Sequence, residues 1–231
     1  MLAIAHAGGA LDGVAYTNSL EALDASYAAG FRWFEMDFLR TADGFVACRH
    51  DWRDFGHRAP TLHGLRDALA PRYTPADAES LSAWMAARPD ATLVTDVKEA
   101  DQVPVLEDLL AAGLDPARAV VQLFTPGEDR AVARLGFPRR SLILYRTRAR
   151  ARTLAAFAAA ARPLAVAQSA SEARAGTRLR GVDAPWWTYT INDPREAAHL
   201  ARLGCAGVFT DTLRPGTSLP GAPALTATPD A

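Results

Sequence analysis

Short apolar runs that end on a chemically active side chain recur along this chain. Residues 2–5 lead into His6, and residues 30–34 into Glu35-Met36-Asp37. Residues 91–94 lead into Asp96-Val97-Lys98, and Val46-Ala47-Cys48 precedes His50. Runs of this length predict strands, and on a strand positions i and i+2 share a face. Glu35 and Asp37 therefore converge on one point, as do Asp96 and Lys98. Strands are predicted over 2–6, 31–39, 92–97, 119–124, 141–145, 164–168, 185–191 and 206–210. Helices are predicted between them, over 19–29, 74–87, 101–112, 127–135, 149–161, 171–179 and 194–203. Asn18 is expected to help cap the first helix and Pro75 to open the second. A hairpin excursion over 45–48 follows the turn Asp43-Gly44 and carries His50 back toward the strand ends.

Eight strands separated by helices predict an α/β fold, a (β/α)8 TIM barrel, rather than a doubly wound sheet. The barrel is expected to be a single domain over 1–213. Residues 214–231, rich in Pro, Gly, Ala and Thr without a period, are expected to form a disordered tail. The interval between His50 and Asp96 leaves room for only a short insertion subdomain, or none.

Composition agrees with a barrel and narrows the function. The chain has 231 residues, is 49% hydrophobic and carries a net charge of −1. A balance this close to zero argues against a nucleic-acid groove or a polybasic membrane patch. The basic stretch 146–152 is spaced by Ala and Thr and reads as a solvated helix start. Cys48 and Cys205 lie far apart and are expected to be free buried thiols. No apolar stretch approaches the ~20 residues that span a bilayer. With no signal-peptide pattern at Met1, a cytoplasmic location without stable membrane insertion is the expectation.

Catalytic side chains of such barrels come from the C-terminal ends of several strands. His6, Glu35, Asp37, His50, Asp96 and Lys98 all fit that place. Three carboxylates with neither Cys ligands nor a His-x-His pair point to one hard divalent cation, Mg2+ or Ca2+. Two histidines beside it suit general acid–base chemistry near neutral pH. Lys98 adds positive charge where a phosphate gains charge in the transition state. Together these groups describe phosphodiester cleavage.

The order of these residues is also that of a known family. The run Ile4-Ala5-His6-Ala7-Gly8-Gly9, then Thr17-Asn18-Ser19-Leu20-Glu21-Ala22, resembles the opening of glycerophosphodiester phosphodiesterases. So do Glu35-Met36-Asp37, Thr41-Ala42-Asp43-Gly44 and His50-Asp51. Later echoes are Asp96-Val97-Lys98, Tyr189-Thr190-Ile191-Asn192 and Gly207-Val208-Phe209-Thr210-Asp211. The resemblance implies that His6 and His50 are the acid–base pair and that Glu35, Asp37 and Asp96 hold the metal. It implies that Lys98 contacts the phosphate of a small-molecule phosphodiester or lysophospholipid.

Trp187, Tyr189, Phe124 and Tyr145 on late strands are candidates to line the substrate mouth, and Gln122 to hydrogen-bond substrate. Asn18 and Asp51 are expected to support His6 and His50. Three departures stand out. Ala7 replaces the family arginine, Asp96 replaces the usual glutamate, and Tyr189 replaces a tryptophan. Arg49 and Arg40 are candidates to make up for the missing arginine. The expected reaction is hydrolysis to an alcohol and a phosphomonoester. The alternatives are a phospholipase D- or C-like lyase that releases a cyclic phosphate, and a non-catalytic barrel that binds a phosphodiester.

Overall fold

The structure is a computed structural model that describes residues 1–176, 179 and 181–229. Its strands are β1 (Leu2–Ala5), β2 (Trp33–Arg40), β3 (Val46–Cys48), β4 (Thr92–Val97), β5 (Ala119–Leu123), β6 (Arg139–Ile143), β7 (Val166–Ser169), β8 (Trp186–Tyr189) and β9 (Gly207–Thr210). The helices between them are α1 (Leu20–Ala28), α2 (Leu62–Leu69), α3 (Ala78–Ala86), α4 (Val103–Ala111), α5 (Asp129–Arg134), α6 (Ala151–Ala161), α7 (Ala170–Ala175) and α8 (Pro194–Arg202). All strands but β3 are parallel, and pairing of β1 with both β9 and β2 closes them into the expected (β/α)8 barrel. β3 lies antiparallel on the end of β2, which is the predicted hairpin excursion. The helix expected over 171–179 is seen as α7, and residues 177 and 178 lie outside the described residues.

Side-chain alternation puts Trp33, Glu35 and Asp37 of β2 inside the barrel, in register with Val94 and Asp96 of β4. Trp33 and Trp187 meet edge to face near the bottom, with ring centroids 6.0 Å apart, and fill the interior there. Gly207 is required beside them, because a Cβ at that position would lie 2.7 Å from the Trp187 ring. Trp187 is 3% exposed in this lower layer, so it is a core residue and does not reach the substrate mouth. The two-residue step from Trp187 to Tyr189 keeps the face but climbs one full layer.

Local chemistry moves three predicted boundaries. α1 is capped by Ser19, whose Oγ accepts from Ala22 N; Asn18 does not serve as the cap. α3 starts at a capping box between Asp77 and Ser80 rather than at Pro75, which bridges to Ser19. α2 lies in a stretch for which the sequence predicts no helix. Thr61 caps it, and Leu65 and Leu69 bury against Ala47 in a small satellite core with Trp52, Phe55, Leu62 and Tyr73. This segment is a short insertion over the barrel rim.

The tail also differs from expectation. Ala3 N donates to Thr226 O and Thr226 N to Met1 O, both at 2.9 Å, while Leu219 and Leu225 are buried. Two leucines and the open backbone groups at the start of β1 hold a segment whose composition reads as disordered. Residues 230 and 231 lie outside the described residues. Both cysteines are free and buried, as expected. Among the described residues no helix is long and apolar enough to cross a membrane.

Candidate active site

Every chemical side chain singled out at the strand ends lies at the C-terminal rim of the barrel. β1 ends in a 3-10 turn, His6–Gly8, with Ala7 at φ 49°. That turn aims Ala7 N at Glu35 Oε2, 2.8 Å away, and leaves the His6 ring over the barrel mouth. Gly9 lets α1 approach, since a Cβ there would fall 2.1 Å from Ser26 Oγ. His6 Nδ1 is 2.8 Å from Asp211 Oδ1, just after β9. Asn192 holds that carboxylate, its Nδ2 donating to Asp211 Oδ2 at 2.7 Å. His50 Nδ1 pairs with Asp51 Oδ2 at 2.9 Å. Tyr16 stands between the two imidazoles, with ring centroids 4.7 Å from His6 and 5.0 Å from His50, edge to face with each.

Below the histidines the oxygens of Glu35, Asp37 and Asp96 come within 4.8 Å of one another. Lys98 Nζ lies 2.8 Å from Asp37 Oδ1 and 2.7 Å from Asp96 Oδ2. Asn18 braces the cluster from the side, with Nδ2 donating to Asp37 Oδ2 at 2.9 Å and Oδ1 accepting from Asp37 N at 3.0 Å. Tyr145 donates its hydroxyl to Asp96 Oδ1 at 3.0 Å. Glu35 Oε1 is buried with no hydrogen-bond partner among the described residues. Lys98 is the only lysine among 25 Lys and Arg residues. A compact ammonium fits between two carboxylates in a space that a planar guanidinium does not share.

His6, Tyr16, Glu35, His50, Asp96, Lys98 and Tyr145 line one cleft of about 210 Å³, together with Gln122, Ile143, Tyr189, Thr190 and Phe209. Gln122 is 1% exposed, and neither end of its amide has a hydrogen-bond partner among the described residues. Arg40 and Arg49, the candidates to replace the family arginine, are elsewhere. Arg40 pairs with Asp108 and Arg49 with Asp54. The basic stretch is more than a solvated helix start, because Arg146 lies 4.1 Å over the Phe124 ring and donates to the carbonyls of Val97, Lys98 and Glu99. It thereby fixes the segment that carries Lys98. Asp211 appeared in the sequence only as part of a late echo, and Tyr16 gave no signal, because it lies in a loop without period.

The electrostatics follow from burial and crowding. Burial and the neighbouring Asp37 charge push the Glu35 carboxyl up to about 8. Burial acts against the Lys98 charge, but Asp37, Asp96 and Glu35 outweigh it and raise the ammonium above its ordinary range. Burial likewise opposes a charged His6, yet the Asp211 hydrogen bond and the Glu35 charge raise its pKa above 6.5. Asp211 is lowered in turn, since hydrogen bonds from His6 and Asn192 outweigh its burial. With Glu35 ionised, three negative groups face one ammonium. The excess negative charge, the orphaned Glu35 oxygen and an all-oxygen donor set fit one hard divalent cation.

The fold and rim together define an α/β barrel with two carboxylate-paired histidines over a carboxylate cluster. Crystal structures of glycerophosphodiester phosphodiesterases share this fold. One from Parabacteroides distasonis is 15% identical over 91% of this chain and 92% of its own, with a TM-score of 0.72. One from Thermotoga maritima is 18% identical over 91% and 94%, with a TM-score of 0.67. A phosphodiesterase from Oleispira antarctica, in complex with the product sn-glycerol-3-phosphate, is 18% identical over 91% and 93%, with a TM-score of 0.69. The likeness is one of fold. No family model and no curated protein matches the sequence.

Proposed function

We propose that the protein is a phosphodiesterase dependent on one divalent cation, Mg2+ or Ca2+, which hydrolyses glycerophosphodiester-like substrates to an alcohol and a phosphomonoester. The observation that carries this reading is the meeting, in one cleft, of two carboxylate-backed histidines, three carboxylates and a lone lysine. The fold shared with glycerophosphodiester phosphodiesterases supports it, as does the phosphomonoester product bound to the Oleispira antarctica enzyme.

Glu35, Asp37 and Asp96 would hold the cation, and when bound it would offset charge on a nonbridging phosphate oxygen. Lys98 can turn its ammonium toward the second nonbridging oxygen, and the Gln122 amide toward an ester oxygen. Asp211 keeps a proton on His6, so His6 suits the general acid that protonates the leaving alkoxide. His50 is more exposed, with 36% of its side chain accessible, and receives a proton from the attacking water. Asp51 holds its other ring nitrogen.

Phosphorus NMR on glycerophosphodiesters, with added Mg2+ or Ca2+ and again with chelator, tests this reading. Chelator-sensitive conversion to a phosphomonoester is expected. A persistent cyclic phosphate would replace hydrolysis by the lyase reaction, and no conversion under either metal would sink the enzyme assignment.

A pH profile tests the role of Asp211. Its carboxylate raises the His6 pKa, so wild-type His6 stays protonated further into the alkaline range. In Asp211→Asn the alkaline limb of kcat should move to lower pH, with a loss of about tenfold at pH 8 and a smaller loss at pH 6. An unmoved limb would remove His6 as the acid.

A further inference from the structure

Beside the acidic cleft lies a second cavity of about 770 Å³, and the two share Tyr16 and His50 as a common wall. The larger space is built by the 11–17 loop, the 49–54 segment and the turn at Arg72 and Tyr73, none of which carries a residue of the carboxylate cluster. At about 210 Å³ the cleft is smaller than the ~300–1,000 Å³ of sites that hold an organic ligand. A phosphodiester carries two alcohols, and the cleft has room for the phosphate and a small one.

Resting on the phosphodiesterase reading above, we propose that the larger cavity is the subsite for the second alcohol, and that it takes a neutral polyhydroxylated ring of cyclitol or sugar size. The charge on its walls argues for this class. Arg49, Arg53 and Arg72 are balanced by Asp12, Asp51 and Asp54. Arg49 pairs with Asp54, and Arg53 Nε meets Asp51 Oδ2 at 2.9 Å. Asp12 and Arg72 have no ion-pair partner among the described residues, which leaves one acceptor and one donor open on the same cavity.

Hydroxyls donate and accept at once, so a polyol satisfies both. A quaternary ammonium would meet Asp12 but be repelled by the arginines, and an anion would meet the reverse. An acyl chain would cover guanidiniums and carboxylates without replacing their water, at a cost in free energy. Tyr16 and Tyr73 put aromatic rings on the cavity wall, a surface against which the C–H face of a sugar or cyclitol packs. Tyr16 is 43% exposed and touches both imidazoles, so a substrate that spans the two spaces passes along its ring.

The test compares glycerophosphoinositol, glycerophosphocholine and bis(4-nitrophenyl) phosphate as substrates of the wild-type chain and of the double variant Asp12→Ala/Arg72→Ala. Both residues are exposed, and thermal melts of the variant check that the turn at Asp12, where φ is 49°, is kept. The wild type should prefer the inositol diester over the choline diester by about tenfold or more in kcat/KM, as expected where a site hydrogen-bonds hydroxyls. The double variant should lose that preference and leave bis(4-nitrophenyl) phosphate turnover unchanged. Equal kcat/KM for the two diesters in the wild type, or a uniform loss on all substrates in the variant, overturns the subsite. Saturation-transfer NMR of glycerophosphoinositol reads binding without turnover. If none of the three diesters is cleaved with Mg2+ or Ca2+, the phosphodiesterase reading fails and the NMR decides the subsite alone. Enhancement of the inositol protons that vanishes in the variant sustains it, and no enhancement overturns it.

Discussion

His6→Ala is expected to lower kcat by about 10³-fold, within the range of general acid–base contributions, while the thermal midpoint and cation binding stay close to wild type. The separation of effects follows from the geometry. The His6 ring caps the barrel from a turn after β1 and bonds to Asp211, whereas the carboxylate cluster is braced by Asn18, Lys98 and Ala7 N. Removing the imidazole leaves those braces intact, since Ala7 N belongs to the backbone. His50→Ala should cost a similar factor. The double variant should lose much less than the product of the two, because groups that act in one proton-transfer sequence are not additive. Steady-state kinetics on a chromogenic diester, paired with thermal melts, would check this. A His6→Ala enzyme within about threefold of wild type would rule out acid–base catalysis by this residue.

The second large effect is expected at Glu35, and it changes sign with conditions. In wild type, Mg2+ or Ca2+ at about 100 times its Kd should stabilise the fold by about 2.7 kcal/mol, a rise of about 5 to 11 °C in Tm for a chain of this size. Glu35→Gln should abolish most of that rise, because it removes a ligand charge at a buried site. In chelator the same substitution should stabilise. The folded pKa of Glu35 stands at about 8, above the ordinary 4.5, so the folded state binds more protons than the unfolded state between these values. Its contribution to stability is therefore lost as pH rises through that window. Gln carries no charge to bury, so the variant should melt above wild type at pH 8 in chelator and below it at the same pH with saturating cation. Melts that coincide under both conditions would count against a cation at this cluster.

The ordering of strands and the placing of polar side chains at their ends were readable along the chain because both depend on local periodicity. Glu35 and Asp37 share a face since side chains alternate on any strand, and a run of eight strands with helices between them has few ways to close. His6, His50, Asp96 and Lys98 then fall at one rim without further information. Helix α2 was also legible in principle, from Thr61 and the spacing of Leu62, Leu65 and Leu69, but its flanking histidines and prolines suggest loop. The tail misleads for the opposite reason, since a polar, Pro- and Gly-rich composition says nothing about the few backbone groups it pairs.

What only the tertiary structure decided is which side chains stand behind the proposed catalytic ones. Asp211 lies 205 positions from the histidine it holds, and Asn18 lies 19 from the Asp37 it braces. Tyr16 reaches both imidazoles from a loop, and Trp187 falls one layer below the cleft although it shares a strand face with Tyr189. The periodicity of a chain reports which face a residue takes. The depth of that residue in the barrel, and the partner it meets there, are set by strand register and ring closure, which bring together segments that no local pattern connects.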